Sequence, residues 1–390
     1  MEKMKQLTIA LPQRIDTTNA EKVSQELKAA ISAGDDSNGI LLDADGLEYI
    51  SSAGLRVLLS LKKNEAELSV INVSRDVAEI FETTGFDQIL DIQKKKRVVS
   101  VDGCEVIGKG YCGTVYRLDP ETIVKVFHGA TEETLAGIEN EKNMARLAFV
   151  SGIPTAISYD IVRVGDSYGS VYELLNAVTF NDLVIKNPGD LDAIVQQYVG
   201  FLKLVHDTEI NTPLLSSAKA KFFDYLEAVR KTIGESLYSS LRNLIESVRD
   251  SHRVVHGDPQ MKNIMLADGE PMLIDMDTLC AGEPIFDLQA IYVTYVAYSE
   301  DDPGNSMDFL GISFETSREI WDKVFACYFA EGYPGGREAV LRKIQVLAYI
   351  RFLFLIVTSD TADDPLGRLR IEHTKQKLSE LTELCDDLNI

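Results

Sequence analysis

A chain of 390 residues, 45% hydrophobic and 26% charged, is too long for one ordinary core and too apolar to remain disordered. Its formal charge of −22 is uneven: 13 basic and 16 acidic residues fall in the first hundred, and 26 basic against 45 acidic in the rest. Such a surface repels duplex nucleic acid, which is bound mainly by neutralising phosphates, so no nucleic-acid partner is expected.

Five cysteines (Cys104, Cys112, Cys280, Cys327, Cys385) form no C-x-x-C pair, and the number is odd. Both features point to a reducing compartment, the cytoplasm, rather than a disulfide framework. The opening "MEKMKQLTIALPQRID" lacks the apolar run of a signal peptide. The longest apolar run, "VLAYIRFLFLIV" (346–357), contains Arg351 and is short for a membrane span, so no membrane insertion is expected.

In chain order, "QLTIAL" (6–11) reads as a strand, and "TTNAEKVSQELKAAIS" (17–32) as a helix capped by Thr18 or Asn19. "GILLDADGL" (39–47) is a strand ending in a turn, and "SSAGLRVLLSLKK" (51–63) the helix after it. "ELSVINV" (67–73) is a further strand, and "DVAEIFETTGFDQIL" (76–90) a helix broken at Gly85. Strands alternating with helices predict a small α/β domain over residues 1–97 with a largely parallel sheet. "QKKKRVV" (93–99) reads as a solvated joint.

Beyond residue 98 the texture becomes antiparallel. "RVVSVDGCEVIGKGYCGTVYRLDPETIVKVF" alternates around a glycine turn, an amphipathic helix covers 133–150, and two strands flank the Gly165-Asp166 turn. From about residue 180 the pattern is helical, interrupted by 254–288. The expectation is a two-lobed α+β unit over 98–390, with a β-rich lobe at 98–175 and a helical lobe at 176–390.

Three short segments carry chemistry. "GKGYCGTVY" places Gly108, Gly110 and Gly113 as G-x-G-x-x-G between predicted strands, where backbone amides could meet phosphate oxygens. A dinucleotide version of that motif would open a helix instead. Lys125 lies in the next strand, under the turn, where an ammonium could hold nucleotide phosphates. Its anchor is Glu139 or Glu141, with Glu141 favoured because it precedes the apolar face Met144, Leu147, Ala148. "HGDPQMKN" supplies Asp258 and Asn263, and "MLIDMD" supplies Asp275 after a predicted hairpin at Asp268-Gly269. Phosphoryl transfer needs these types: one Asp takes the acceptor proton, while an Asn and a second Asp give Mg²⁺ the oxygen ligands it prefers.

With these segments in order, residues 98–390 resemble the protein-kinase-like superfamily on its aminoglycoside and choline phosphotransferase side, through "HGDPQMKNIM…LIDMD…GEPIFDL". Gln260 stands where eukaryotic protein kinases usually carry Lys, and Met276-Asp277 replace Phe-Gly after the metal Asp. The segment from Asp277 to Asp287 leaves no room for a long activation loop. The resemblance implies ATP and Mg²⁺ as cofactors and Asp258 as base, with Asn263 and Asp275 as metal ligands. It also implies a nucleotide site at Gly108, Gly110, Gly113, Lys125 and Glu141, with backbone of Glu173 and Leu175 at the adenine. Asp287 would brace the catalytic loop. "SEDDPGNSMD" (299–308) and "TSDTADDP" (358–365) are acidic candidates for a cationic acceptor, against the plainer reading as solvent loops.

"LEYISSAGLRVLL" (47–59) resembles the STAS fold of anti-sigma factor antagonists, an α/β domain with a mixed sheet. That resemblance implies an anti-sigma-like or other regulatory protein partner and a phosphosite at Ser52. Ser51 stands where the family's motif has Asp, and a serine here is also a good helix cap. Two functions follow as expectations. One is an ATP-dependent phosphotransferase acting on a hydroxyl of a small molecule or of a protein serine, with a STAS domain for partner binding. The other is a non-catalytic, nucleotide-sensing regulator that switches partners.

Overall fold

The computed structural model describes residues 6–34, 39–64, 67–110, 113–129 and 131–390. Tyr111 and Cys112 of the glycine turn lie outside the described residues. The chain divides into two compact units, residues 1–100 with 162–165, and 101–161 with 166–390.

The first unit runs β1 (Gln6–Ala10), β2 (Arg14–Ile15), α1 (Ala20–Ala33), β3 (Gly39–Asp43), β4 (Tyr49–Ile50), α2 (Ser52–Asn64), β5 (Leu68–Val73), α3 (Arg75–Thr84) and β6 (Asp91–Lys94). Its main sheet has the order β1-β3-β5-β6, and its described pairs are all parallel, the parallel end of the sequence expectation. Apolar side chains of the strands (Leu42, Val70, Val73) meet Val23 and Leu27 of α1, Leu58 and Leu61 of α2, and Phe81 of α3 in one core. Helix α1 starts at Ala20 with Asn19 at its cap position, one of the two caps that the sequence offers. The Asp16 carboxylate takes both the amide and the hydroxyl of Thr18 and holds that stretch as a turn. Gly85, at φ 72°, stops α3 by adopting the left-handed conformation that glycine tolerates. The predicted joint is partly structured, because β6 pairs with β5, and Lys94 and Lys95 reach Glu82 and Asp45, both at 2.5 Å.

After residue 100 come β7 (Glu105–Lys109), β8 (Gly113–Arg117), β9 (Thr122–Phe127), α4 (Glu132–Val150), β10 (Asp160–Val164) and β11 (Ser167–Glu173). These strands form one sheet, β10-β11-β9-β8-β7, with β9 antiparallel to both β8 and β11. Next come β12 (Ala177–Thr179), α5 (Phe180–Lys186), α6 (Leu191–Asp207), α7 (Ala218–Ile233), α8 (Glu235–Ser247), β13 (Val254–Val255), β14 (Ile264–Ala267), β15 (Glu270–Leu273) and β16 (Cys280–Ala281). The chain ends with α9 (Ile285–Tyr292), a π-helical turn at 293–297, α10 (Tyr298–Glu300), α11 (Asn305–Leu310), α12 (Phe314–Tyr328), α13 (Arg337–Val357) and α14 (Pro365–Thr382).

The helical half has its own large core. Helix α6 buries Ile194, Val195, Tyr198, Val199, Leu202 and Val205 at helical spacing, while α9 is buried on every side. The β14–β15 hairpin turns at Asp268 and Gly269, both at positive φ, as its Asp-Gly pair predicts. Among the described residues no helix is long and apolar enough to cross a membrane, and Cys104, Cys280, Cys327 and Cys385 are free thiols. Cys112 lies outside them.

Candidate active site

Strand β9 is central in its sheet, so Lys125 is flanked by Val115 on one side and Ser170 on the other. Its side chain is only 17% exposed, and Nζ lies 3.5 Å from Glu141 Oε1 on α4 and bonds Asp275 Oδ1. Of the two anchors open in the sequence, Glu141 is thus the one that meets the lysine. It is 7% exposed and also accepts the Tyr172 hydroxyl at 3.3 Å.

Burial alone would lower the Lys125 pKa, but Asp275 and Glu141 more than reverse this and hold the ammonium above its usual range. Glu141 is pushed upward because its burial outweighs Lys125. The two shifts follow from one crowded group: Asp277 is also pushed up, first by burial and then by Asp275. One lysine therefore faces several carboxylates, a surplus of negative charge that a divalent cation would relieve.

The glycines divide by what surrounds them. A Cβ on Gly113 would lie 2.3 Å from the Val126 carbonyl oxygen, so the β8–β9 contact itself requires glycine there. At Gly108 and Gly110 the nearest atoms would be 3.6 and 3.9 Å away, ordinary contact distances, so packing alone does not demand glycine there. At the end of β11, the Leu174 amide is bonded to the Glu121 carbonyl at 2.7 Å, whereas the Leu175 amide has no protein acceptor among the described residues. The exposed Glu173 carboxylate accepts the Tyr159 hydroxyl at 3.1 Å.

The 256–263 loop is tied at nearly every residue. The buried Asp287 carboxylate accepts the amides of His256 (2.8 Å) and Gly257 (2.7 Å), and His206 Nε2 lies 3.0 Å from it. Burial would raise the Asp287 pKa, but these hydrogen bonds and the neighbouring histidines hold it below the usual carboxylate value. Thr278 donates to the His256 carbonyl at 2.7 Å, and the Met261 amide donates to Tyr295 Oη at 3.1 Å. Tyr198 donates to the Pro259 carbonyl, and Arg351 to that of Gly257. Gly257 is at φ 85°, and a Cβ there would lie 2.7 Å from the Thr278 carbonyl.

Within this frame Asp258 Oδ2 accepts from Gln260 Nε2 (2.8 Å) and Asn263 Nδ2 (3.0 Å). The Ile274 amide donates to the Asn263 carbonyl at 3.0 Å, and His256 Nε2 lies 3.0 Å from the Ile274 carbonyl. These bonds bring the loop alongside Asp275, which sits at φ 55° in the left-handed region, a conformation Asp tolerates better than most residues. Because the Asn263 amide nitrogen faces Asp258, its oxygen is left for another ligand. Oxygen donors of this kind suit Mg²⁺. Among the described residues no three His, Cys, Asp or Glu side chains could hold a metal by themselves.

Tyr198, His206, Thr278, Tyr295 and Arg351 were absent from the sequence-derived site. Only Arg351 gave a signal, as the charge inside an apolar run. The acidic segment 299–308 is largely committed within the fold. Glu300 pairs with Lys377 (2.6 Å), Asp301 with His373 (2.6 Å) and Asp302 with Arg370 (3.6 Å), all on α14. Asp360, Asp363 and Asp364 of the second acidic segment are exposed. In the first unit, Ser51 precedes α2 and its Oγ accepts the Ala53 amide at 3.2 Å, while Ser52 is exposed in the first turn.

Residues 3–98 match the STAS domain, and residues 103–313, more than half of the chain, match the phosphotransferase enzyme family. BtrV of Bordetella bronchiseptica, named as an anti-sigma factor antagonist, is 33% identical over 105 residues, 26% of this chain and 89% of that protein. Similar solved structures include ADP-bound aminoglycoside phosphotransferase APH(2'')-Ib (15% identity, 78% of this chain and 99% of that one, TM-score 0.48). They also include a choline/ethanolamine kinase family protein of Mesorhizobium loti (14% identity, 72% and 88%, TM-score 0.46). The chain belongs to the phosphotransferase enzyme family, kinases that act on a hydroxyl group, and it carries a STAS domain ahead of the catalytic part.

Proposed function

We propose that the second unit transfers the γ-phosphoryl group of ATP, with Mg²⁺, to an alcohol oxygen of a small molecule or of a protein serine. The STAS domain binds a regulatory protein partner. The observation that carries this reading is the convergence of Lys125 from β9, Glu141 from α4 and Asp275 from the loop after β15.

Lys125, steadied by Glu141, meets the nucleotide phosphates, with the glycine-rich β7–β8 hairpin beside it. The free Leu175 amide suits the adenine edge. Asn263 and Asp275 would hold Mg²⁺, which neutralises phosphate charge when bound. Asp258, its Oδ2 occupied by Gln260 and Asn263, keeps Oδ1 for the acceptor. As the acceptor oxygen bonds to the γ-phosphorus, the bond to ADP breaks and the hydroxyl proton passes to Asp258.

Ser52 is one acceptor that the chain itself offers. It is exposed in the first turn of α2, where a phosphate would meet the positive end of the helix. Every position of the transfer machinery is filled, which favours turnover over nucleotide sensing alone.

The test is intact-mass analysis of the full chain with ATP and Mg²⁺, beside Asp258→Ala and Ser52→Ala, with ATP binding and hydrolysis followed in parallel. Asp258→Ala is expected to lower turnover by about 10²–10⁴-fold while ATP affinity stays within a few fold. Equal turnover in that variant would refute the base assignment. ATP binding with no turnover in any form would return the nucleotide-sensing alternative. Added phosphate lost in both variants makes Ser52 the acceptor. Turnover without added phosphate moves the acceptor to another molecule.

A further inference from the structure

Helix α13 carries no charged residue from Ile344 to Val357 except Arg351. Its side chain is 15% exposed, with Phe352 and Leu353 beside it in the core. A guanidinium in such surroundings is tolerated only where its charge and its N–H groups are used. Arg351 uses them on the loop that carries Asp258: Nη1 donates to the Gly257 carbonyl, and Nη2 lies 3.6 Å from Asp258 Oδ1. Its neighbour one turn on, Phe354, stacks on Tyr225 of α7 at 4.4 Å, which fixes this end of α13 against the helix beside it.

The two oxygens of Asp258 are therefore treated differently. Oδ2 is filled by two short hydrogen bonds from Gln260 and Asn263. Oδ1 faces the guanidinium at 3.6 Å, too long for a hydrogen bond but within ion-pair range. The contact orients the carboxylate and leaves the lone pairs of Oδ1 open. A two-pronged grip on a carbonyl and a carboxylate needs the planar fork of arginine, since a lysine ammonium offers a single point of contact.

We propose that Arg351 is a positioning residue for Asp258, holding Oδ1 toward the acceptor from a helix that follows Gly257 by 94 residues in sequence. The proposal rests on the reading of Asp258 as the base. It predicts that removing the fork slows transfer without weakening nucleotide binding, and that the effect passes through Asp258.

The test uses the full chain, ATP and Mg²⁺, with water as the acceptor. The oxygen of water bonds to the γ-phosphorus, the bond to ADP breaks, and the proton goes to Asp258 and then to solvent. Initial rates are compared for wild type, Arg351→Met, Arg351→Lys, Asp258→Asn and the Asp258→Asn/Arg351→Met double variant. Arg351→Met is expected to lower kcat by about tenfold or more with KM for ATP within about twofold, and Arg351→Lys to recover part of the loss. In the Asp258→Asn background the same Arg351 change is expected to alter the residual rate by less than about twofold, because the two residues act as one unit. An inactive Asp258→Asn beside a fully active Arg351→Met overturns the proposal alone. So does an Arg351 effect that repeats in full in the double variant, which marks a purely structural arginine. A fully active Asp258→Asn instead removes the base assignment, and the proposal with it. Should Arg351→Met not fold, Arg351→Gln takes its place in each comparison.

Discussion

Asp287 is a carboxylate with no exposure to solvent, and it survives as an anion because two backbone amides and His206 converge on it. Desolvation pulls its pKa up, and the hydrogen bonds and the histidines pull it further down, so the folded value lies below the unfolded one. The sign follows from linkage. A depressed carboxylate contributes stability that is fully present above its unfolded pKa, near 4, and is lost as pH falls through the folded value. Asp287→Asn keeps the shape but removes the charge that the amides and His206 address. It is expected to cost about 3–5 kcal/mol at neutral pH, as for a broken buried charge network. The difference from wild type should shrink steadily as pH drops below about 4. Urea unfolding curves of both proteins between pH 7 and 3 measure this, and a difference that stays constant with pH would exclude a charged Asp287.

At the scale of single elements, two glycines in helices make opposite demands. Gly54 lies in the first turn of α2, where a Cβ would sit 2.6 Å from Ile50 Cγ1 and 2.8 Å from the Ile15 carbonyl. Gly137, exposed in the middle of α4, has nothing within 4 Å of that position. Gly54→Ala is expected to destabilise by about 1–3 kcal/mol through overpacking. Gly137→Ala should stabilise by about 0.5–1 kcal/mol, because alanine loses less backbone entropy in a helix. Chemical denaturation of both variants reads the two signs; stabilisation by both would mean that helix propensity outweighs packing at Gly54, and destabilisation by both would refute the expectation for Gly137. The contrast bears on what the sequence could disclose. Lys125, Glu141 and Asp275, which the structure brings together, and Asp258 with Asn263 could be singled out in the sequence because the phosphate and metal chemistry proposed for them asks for particular residue types at short spacings. Tyr198 and Tyr295 could not. They reach the catalytic loop from 61 and 34 residues away, and on their own helices each looks like any buried aromatic. Local pattern left Thr18 and Asn19 open as the cap of α1, and the Asp16 carboxylate decides for Asn19 by holding Thr18 in a turn. It also missed β6, because a four-residue, mostly exposed edge strand that runs into Lys94-Lys95-Lys96 looks like a linker.

At the scale of the whole molecule, each unit has its own core, and the two cores share no residue. The charge is divided as unequally as the functions proposed for the two halves, with nearly all of the negative surplus after residue 100. A chain with two separate cores need not unfold in one step, so calorimetry of the intact protein is expected to show two transitions. Leu58 assigns the smaller one. It is fully buried on α2 among Ile15, Leu42 and Phe81 of the first core, and Leu58→Ala leaves a cavity there that costs about 2–5 kcal/mol. The first unit spans only about a hundred residues, so a loss of this size displaces its transition by ten degrees or more. The second transition should stay in place, as should ATP turnover by the second unit. If the Leu58→Ala variant instead melts in one transition at a lower temperature, the units unfold cooperatively. The STAS domain would then be part of the stability of the catalytic unit as well as a surface for a partner.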